Sequence, residues 1–387
     1  MRNFYSKILF FVFLLFSLLA CDKDNGGGGE PEPKLDNRTI LVYMGGDNNL
    51  SPETDDKIIQ LAKGWSSDFD GNLLIYQDTP SQSRLIKITG FEDNKAVFDI
   101  LKDYEKSNSA DPQVFRNAID DALEGSPAKD YGMIVFSHAS GWLPPHVFYG
   151  TSENEPVTSL RSIIIDGDSE MDIKDFAEAL PAKVFSFIVF EACNMANIEV
   201  AYELKDKAEY IVGSSSPMLS PGFTYVYAKN LKYLYETEAN VEAFAKSYFD
   251  LWNSYTGIQR AATISVVNTS ELNNLATLIR TIKGNITENN IPEHLQIFDG
   301  TIEAPYYFFD FGQYYAFWAN EQQKEELNTI LDRCLIYKAN TPNYANENGV
   351  FVISYHSGLT TYIEQDDLQS INEEYRKLKW YQAIFPN

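Results

Sequence analysis

The chain of 387 residues carries 55 Asp and Glu against 31 Lys and Arg, a formal net charge of −24. Nucleic-acid binding needs a basic footprint, so that class of partner is excluded, while a basic peptide remains electrostatically compatible. Apolar residues make up 44 %, ordinary for a chain that buries a core, and the length admits one large domain or two smaller ones.

Arg2 and Lys7 precede an apolar run from Ile8 to Ala20, shorter than the roughly 20 residues that span a bilayer. Residues 1–20 therefore read as a signal peptide, with a retained membrane helix as the alternative. The run ends Leu18-Leu19-Ala20-Cys21, which resembles a bacterial lipobox. That resemblance implies lipidation of Cys21 and attachment to a membrane through it. Residues 21–37, rich in Gly, Pro and acid and without apolar periodicity, form a tether. An acidic segment after the lipidated cysteine resembles surface-export signals of Bacteroidota lipoproteins, implying an outer-membrane or cell-surface location.

From residue 38 to 387 a single folded domain is expected. Thr39–Met44 and Asn72–Gln77 read as strands, separated by a helix over Pro52–Lys63. Ser83–Thr89 and Ala96–Leu101 form a hairpin or edge pair, and Asp111–Leu123 is an amphipathic helix. Further strands are expected at Met133–Phe136, Phe185–Phe190, Glu209–Ser214 and Ala262–Val267. Helices are expected at Met171–Leu180, after Cys193, at Val241–Trp252, at Ser270–Lys283 and across Glu321–Tyr337. This alternation predicts an α/β fold, a mostly parallel central sheet flanked by helices, with a C-terminal helical extension.

Two of these strands end in reactive residue types. Met133-Ile134-Val135-Phe136 leads into Ser137-His138, and Phe187-Ile188-Val189-Phe190 leads into Glu191-Ala192-Cys193. His138 and Cys193 are separated by 55 positions, room for one loop and one crossover helix, as a parallel pair requires. Adjacent parallel strands would bring both side chains to one carboxyl edge, where open α/β sheets place their sites. A thiol beside an imidazole is an activated nucleophile with its base. A helix start close behind Cys193 would favour the thiolate. The alternatives are a buried structural cysteine and a hydrogen-bonded strand-end histidine.

The segments IVFSHASGW (Ile134–Trp142), FEACNMANIEVAYEL (Phe190–Leu204) and YIVGSSSPMLSPGFTY (Tyr210–Tyr225) resemble the clostripain family of cysteine peptidases. That family shares a clan with caspases, gingipains and legumain. Tyr43–Leu50 resembles its first strand and turn, and Gly349–Ser354 a late strand, so the likeness runs from about Thr39 to the C-terminus. It implies a caspase-like fold and a cysteine endopeptidase working through a His138/Cys193 dyad on proteins or peptides. The backbone N–H groups of Ala139 and Cys193 would stabilise the oxyanion, although the family has Gly where this chain has Ala139. Glu191 would lie in the pocket for the residue before the scissile bond and select Arg or Lys, most relatives carrying Asp there. Ser214, Ser215 and Ser216 would pair with the substrate backbone as an added strand. Some members cut themselves between the two motifs. Here Leu143–Leu160 reads as an exposed loop, and Arg161, the sole Lys or Arg between His138 and Lys174, is the expected internal cleavage site.

No Cys/His cluster has zinc spacing and no cofactor is expected, though some relatives need calcium. Cys334 lies on an apolar helical stripe and reads as core; a Cys193–Cys334 disulfide is the alternative. The aromatic run Tyr306–Trp318 reads as packed core or interface. Its other reading is a glycan-binding surface, which would suit a non-catalytic surface lipoprotein binding glycans or proteins on the same fold.

Overall fold

The computed structural model describes residues 35–385 apart from 146, 150–157, 161, 287–290, 300–304 and 347–348. The signal peptide, Cys21, most of the tether and Arg161 lie outside the described residues.

The organising element is a nine-stranded sheet. Its strands in chain order are β1 (Asp36–Gly45), β2 (Gly71–Thr79), β3 (Gln82–Glu92), β4 (Lys95–Tyr104) and β5 (Ala128–Phe136). They continue with β6 (Phe185–Glu191), β7 (Ala208–Gly213), β8 (Thr263–Asn268) and β9 (Leu335–Asn340). The spatial order is β9-β8-β7-β6-β5-β1-β2-β3-β4. The centre, from β7 to β2, is parallel. Both edges are finished by antiparallel strands, β3 and β4 on one side and β8 and β9 on the other.

The central strands carry continuous apolar runs because both faces are covered. Ile40, Val42, Ile134, Val189 and Val212 face one core. Leu41, Tyr43, Met133, Val135, Ile188 and Phe190 face the other. On the first face lies α1 (Ser51–Gly64), with α5 (Thr224–Asn230) and α6 (Val241–Ser254). On the second lie α2 (Pro112–Gly125), α3 (Ile173–Ala179), α4 (Ile198–Leu204) and α7 (Leu272–Lys283).

Three local expectations need correction. The helix expected through Tyr337 ends at Cys334. Leu335–Asn340 instead forms β9 on β8, where Tyr337 pairs with Val266. Gly349–Val352 is a strand, but it pairs with Asn343–Asn346 outside the main sheet. The interval 143–160 is not structureless, since Val147–Tyr149 pairs antiparallel with Thr158–Leu160.

Candidate active site

Parallel order around β1 creates the site. β2 lies on one side of β1, and β5, then β6, on the other. The chain thus reverses its direction of travel across the sheet between β1 and β5, and crevices open at the carboxyl ends of such strands. Glu191 at the end of β6 pairs in register with Phe136 at the end of β5. Cys193 and His138 each lie two residues further on, so the register carries both to the same edge. Both line one cavity of about 310 Å³, together with Asn49, Leu50, Glu53, Glu191, Met218, Leu219, Ser220 and Pro221.

The histidine loop is tied to its neighbours on both sides. Ser137 Oγ donates to the Gly45 carbonyl (3.1 Å) and accepts from the Ile165 N–H (3.1 Å). Trp142 is buried against Tyr362 and Tyr375. Gly141 turns the chain at φ 63°, where a Cβ would lie 2.4 Å from Asn197 Nδ2. Nε2 of His138 lies 2.5 Å from Oδ1 of Asn49, a residue of the turn after β1. That amide oxygen accepts a proton held on Nε2 and so leaves Nδ1 as the basic nitrogen. The sequence reading did not single out Asn49. Its signals were a polar pair, Asn48-Asn49, in the turn that follows a buried strand, and its place in the segment Tyr43–Leu50 that resembles the family's first turn.

Cys193 is partly exposed and free, as is the buried Cys334, so no disulfide joins them. The Cys193 sulfur accepts from the Met218 N–H at 3.2 Å. Burial pushes its thiol above the ordinary value, and the Met218 N–H opposes that only in part. The helix expected close behind Cys193 starts at Ile198, five residues along the chain, and is capped by Asn197. Between them Asn194 sits at φ 54°, in the left-handed region. Ala139 is buried and is not among the residues with positive φ, so alanine is compatible with the backbone there.

Ser214, Ser215 and Ser216 stand elsewhere than expected. All three are fully buried, which places them out of reach of a substrate strand. The Ser216 carbonyl accepts from Asn194 N (3.2 Å) and the Ser214 carbonyl from Ala196 N (2.9 Å). The Ser215 carbonyl accepts from Asn194 Nδ2 at 3.0 Å. Their hydroxyls bond Thr263 and His356. They brace the turn that carries Cys193, because β7 runs directly beside β6.

Glu191 borders the cavity, yet its carboxylate is already bound. Oε1 accepts from Lys57 Nζ (2.7 Å) and Phe223 N (2.6 Å), and Oε2 from the Tyr227 hydroxyl (2.6 Å). Lys57 is completely buried and also donates to Thr224 Oγ1 at 2.5 Å. Its ammonium lies 4.2 Å from the centre of the Phe136 ring. Lys57 was missed as well. It falls on the inward stripe of α1 with Thr54, Ile58 and Leu61, where a lysine demands a buried partner.

Asp47, Asp78 and Asp166 bring carboxylate oxygens within 4.8 Å of one another. Lys106 Nζ lies 3.1 Å from Asp47 Oδ2, 2.9 Å from Asp78 Oδ1 and 3.7 Å from Asp166 Oδ2. Three carboxylates offer oxygen ligands of the kind calcium takes, and here Lys106 balances their charge. The aromatic run is mostly interior: Tyr307, Phe308, Phe309, Phe311, Tyr314 and Tyr315 are buried, while Phe317 is exposed. A glycan platform therefore finds little surface there.

Comparison with known proteins places this arrangement. The model of the clostripain family matches residues 42–381. An inactive zymogen C11 protease from Parabacteroides distasonis is 29 % identical with a TM-score of 0.77, over 91 % of this chain and 99 % of that one. A secreted C11 cysteine protease from Bacteroides thetaiotaomicron, solved with an irreversible peptide inhibitor, is 26 % identical with a TM-score of 0.76, over 90 % of this chain and 98 % of that one. No curated protein matches the chain.

Proposed function

Because this chain belongs to the clostripain family and is a cysteine-type peptidase of caspase-like fold acting on peptides or proteins, we propose that it is an endopeptidase whose dyad is His138 and Cys193. The observation that carries this is their meeting in one cavity at the carboxyl edge of adjacent parallel strands. His138 takes the Cys193 proton as the sulfur attacks the scissile carbonyl, and the tetrahedral oxyanion collapses to a thioester. The leaving amine departs with the proton from His138. A water molecule, deprotonated by His138, then releases the acyl half. Among the described residues no hydrogen bond engages the N–H of Ala139 or Cys193. Both donors are thus available to the oxyanion, each worth about 3 kcal/mol in the transition state. Asn49 acts as a positioning residue by holding the imidazole.

The acidic cavity supports selection of Arg or Lys before the scissile bond. The same preference makes Arg161 the internal site, with cleavage at Arg161–Ser162 turning a restrained precursor into two associated chains. Ser162 is buried and its N–H bonds Glu170 Oε2 (3.3 Å), so cutting there requires local opening. The leader and lipobox support a lipoprotein tethered through Cys21 at the outer membrane or cell surface, with residues 38–387 as its peptidase domain. Cys193→Ala, tested against a peptide library, decides the central reading: cleavage by the wild type alone supports it, and equal cleavage by both proteins would falsify it.

A further inference from the structure

Selection of a basic side chain needs a carboxylate that is not already neutralised, and among the described residues two acids, Glu53 and Glu191, border the cavity that holds His138 and Cys193. Glu191 is 3 % exposed, and it accepts from Lys57, Phe223 N and Tyr227. Its charge is matched by an ammonium that is itself fully buried, so the pair presents no net charge to a ligand. A substrate cation at Glu191 would have to displace Lys57 and strand it in an apolar setting. An unpaired buried ammonium is strongly unfavourable.

The pair has an evident alternative task. Gly222 lies at φ 60° directly against Glu191, and a Cβ there would come within 2.4 Å of Oε1. Lys57 also donates to Thr224 Oγ1. Glu191 and Lys57 together clamp the turn 220–224, and Ser220, Pro221 and Gly222 of that turn wall the cavity.

Glu53 lies one turn before Lys57 on the same helix, on the cavity side. It is partly exposed. Among the described residues the one hydrogen bond to its carboxylate is from a neutral group, the Ser220 hydroxyl, to Oε1 at 2.5 Å. No cation pairs with it among the described residues.

We propose that Glu53, and not Glu191, is the carboxylate that reads the substrate side chain before the scissile bond. This rests on the peptidase reading above and deepens it. Ser220 holds one carboxylate oxygen at the rim, and the other meets the guanidinium or ammonium. Glu191 is a positioning residue for the opposite wall.

The test uses two fluorogenic peptides that differ only in Arg or citrulline before the cleaved bond, since citrulline keeps the shape of arginine without its charge. The full-length wild type is expected to favour Arg. Glu53→Gln should lower the Arg/citrulline ratio of kcat/KM by about tenfold or more, the worth of a charge-assisted hydrogen bond. Glu53→Lys should bring the ratio below one. Glu191→Gln should lower both activities together and leave the ratio within about twofold. A wild type with no preference for Arg would overturn basic selectivity itself. A wild type that prefers Arg, with a ratio kept in Glu53→Gln and lost in Glu191→Gln, would overturn the assignment to Glu53 alone.

Discussion

Nε2 of His138 and Oδ1 of Asn49 lie 2.5 Å apart, across the gap between the ends of β5 and β1. A neutral imidazole has one donor and one acceptor nitrogen, so the amide oxygen settles which nitrogen carries the proton. Asn49→Ala is expected to lower kcat/KM by about 10- to 100-fold, a part of the roughly 10²- to 10⁴-fold that general acid–base catalysis contributes. Asn49→Asp should restore much of that rate and move the acidic limb of the pH–rate profile upward, because a carboxylate favours the imidazolium. An unshifted profile in an active Asn49→Asp enzyme would reduce Asn49 to a structural residue.

Burial raises the Cys193 thiol above its ordinary value, so at neutral pH the resting nucleophile is protonated. Alkylation by iodoacetamide without substrate is therefore expected to keep accelerating above pH 8. A pre-formed thiolate–imidazolium pair would instead give a plateau from acidic pH upward. Measured inactivation rates from pH 5 to 10 separate the two.

Cleavage at Arg161–Ser162 predicts two fragments from purified wild type on a denaturing gel. Cys193→Ala and Arg161→Ala are each expected to remain a single chain. A fully active enzyme that stays uncut would remove the maturation step and leave the dyad untouched.

Lys57→Met leaves Glu191 as a buried carboxylate whose remaining partners are Phe223 N and the Tyr227 hydroxyl. Removing one partner of a buried ion pair costs about 3–5 kcal/mol. Urea unfolding should show that loss for Lys57→Met and a smaller one for the double variant Lys57→Met/Glu191→Gln, which leaves no stranded charge.

Glu199 on α4 is fully buried, with Oε1 accepting from Tyr362 N and the Thr361 hydroxyl at 2.9 Å each and Oε2 without a partner among the described residues. Burial pushes it from 4.5 up to about 7. The folded state thus holds this proton more tightly than the unfolded chain. Its contribution is fully present below about pH 4.5 and is lost as pH rises through about 7, a swing on the order of 3 kcal/mol. Glu199→Gln should match the wild type near pH 4.5 and exceed it in stability at pH 8. Equal stability at both pH values would show that Glu199 ionises without cost.

The sequence by itself determined the α/β alternation and the two strands that end in His138 and Cys193. Strands buried on both faces must be continuous apolar runs, and the site at a parallel sheet's carboxyl edge must follow them directly. Those constraints are local and leave their mark in consecutive residues. What tertiary structure decided depended on neighbours distant in the chain. Leu335–Asn340 continued a helical pattern until β8 offered it an open edge. Ser214–Ser216 looked available for substrate until the turn after Cys193 claimed their carbonyls. Asn49 gained a role only because β1 lies beside β5. Glu191 looked like a free acid at a pocket floor, and its separation of 134 positions from Lys57 hid the ion pair that neutralises it. Charge compensation in a buried site depends on which side chains meet in space, and sequence order does not record that meeting.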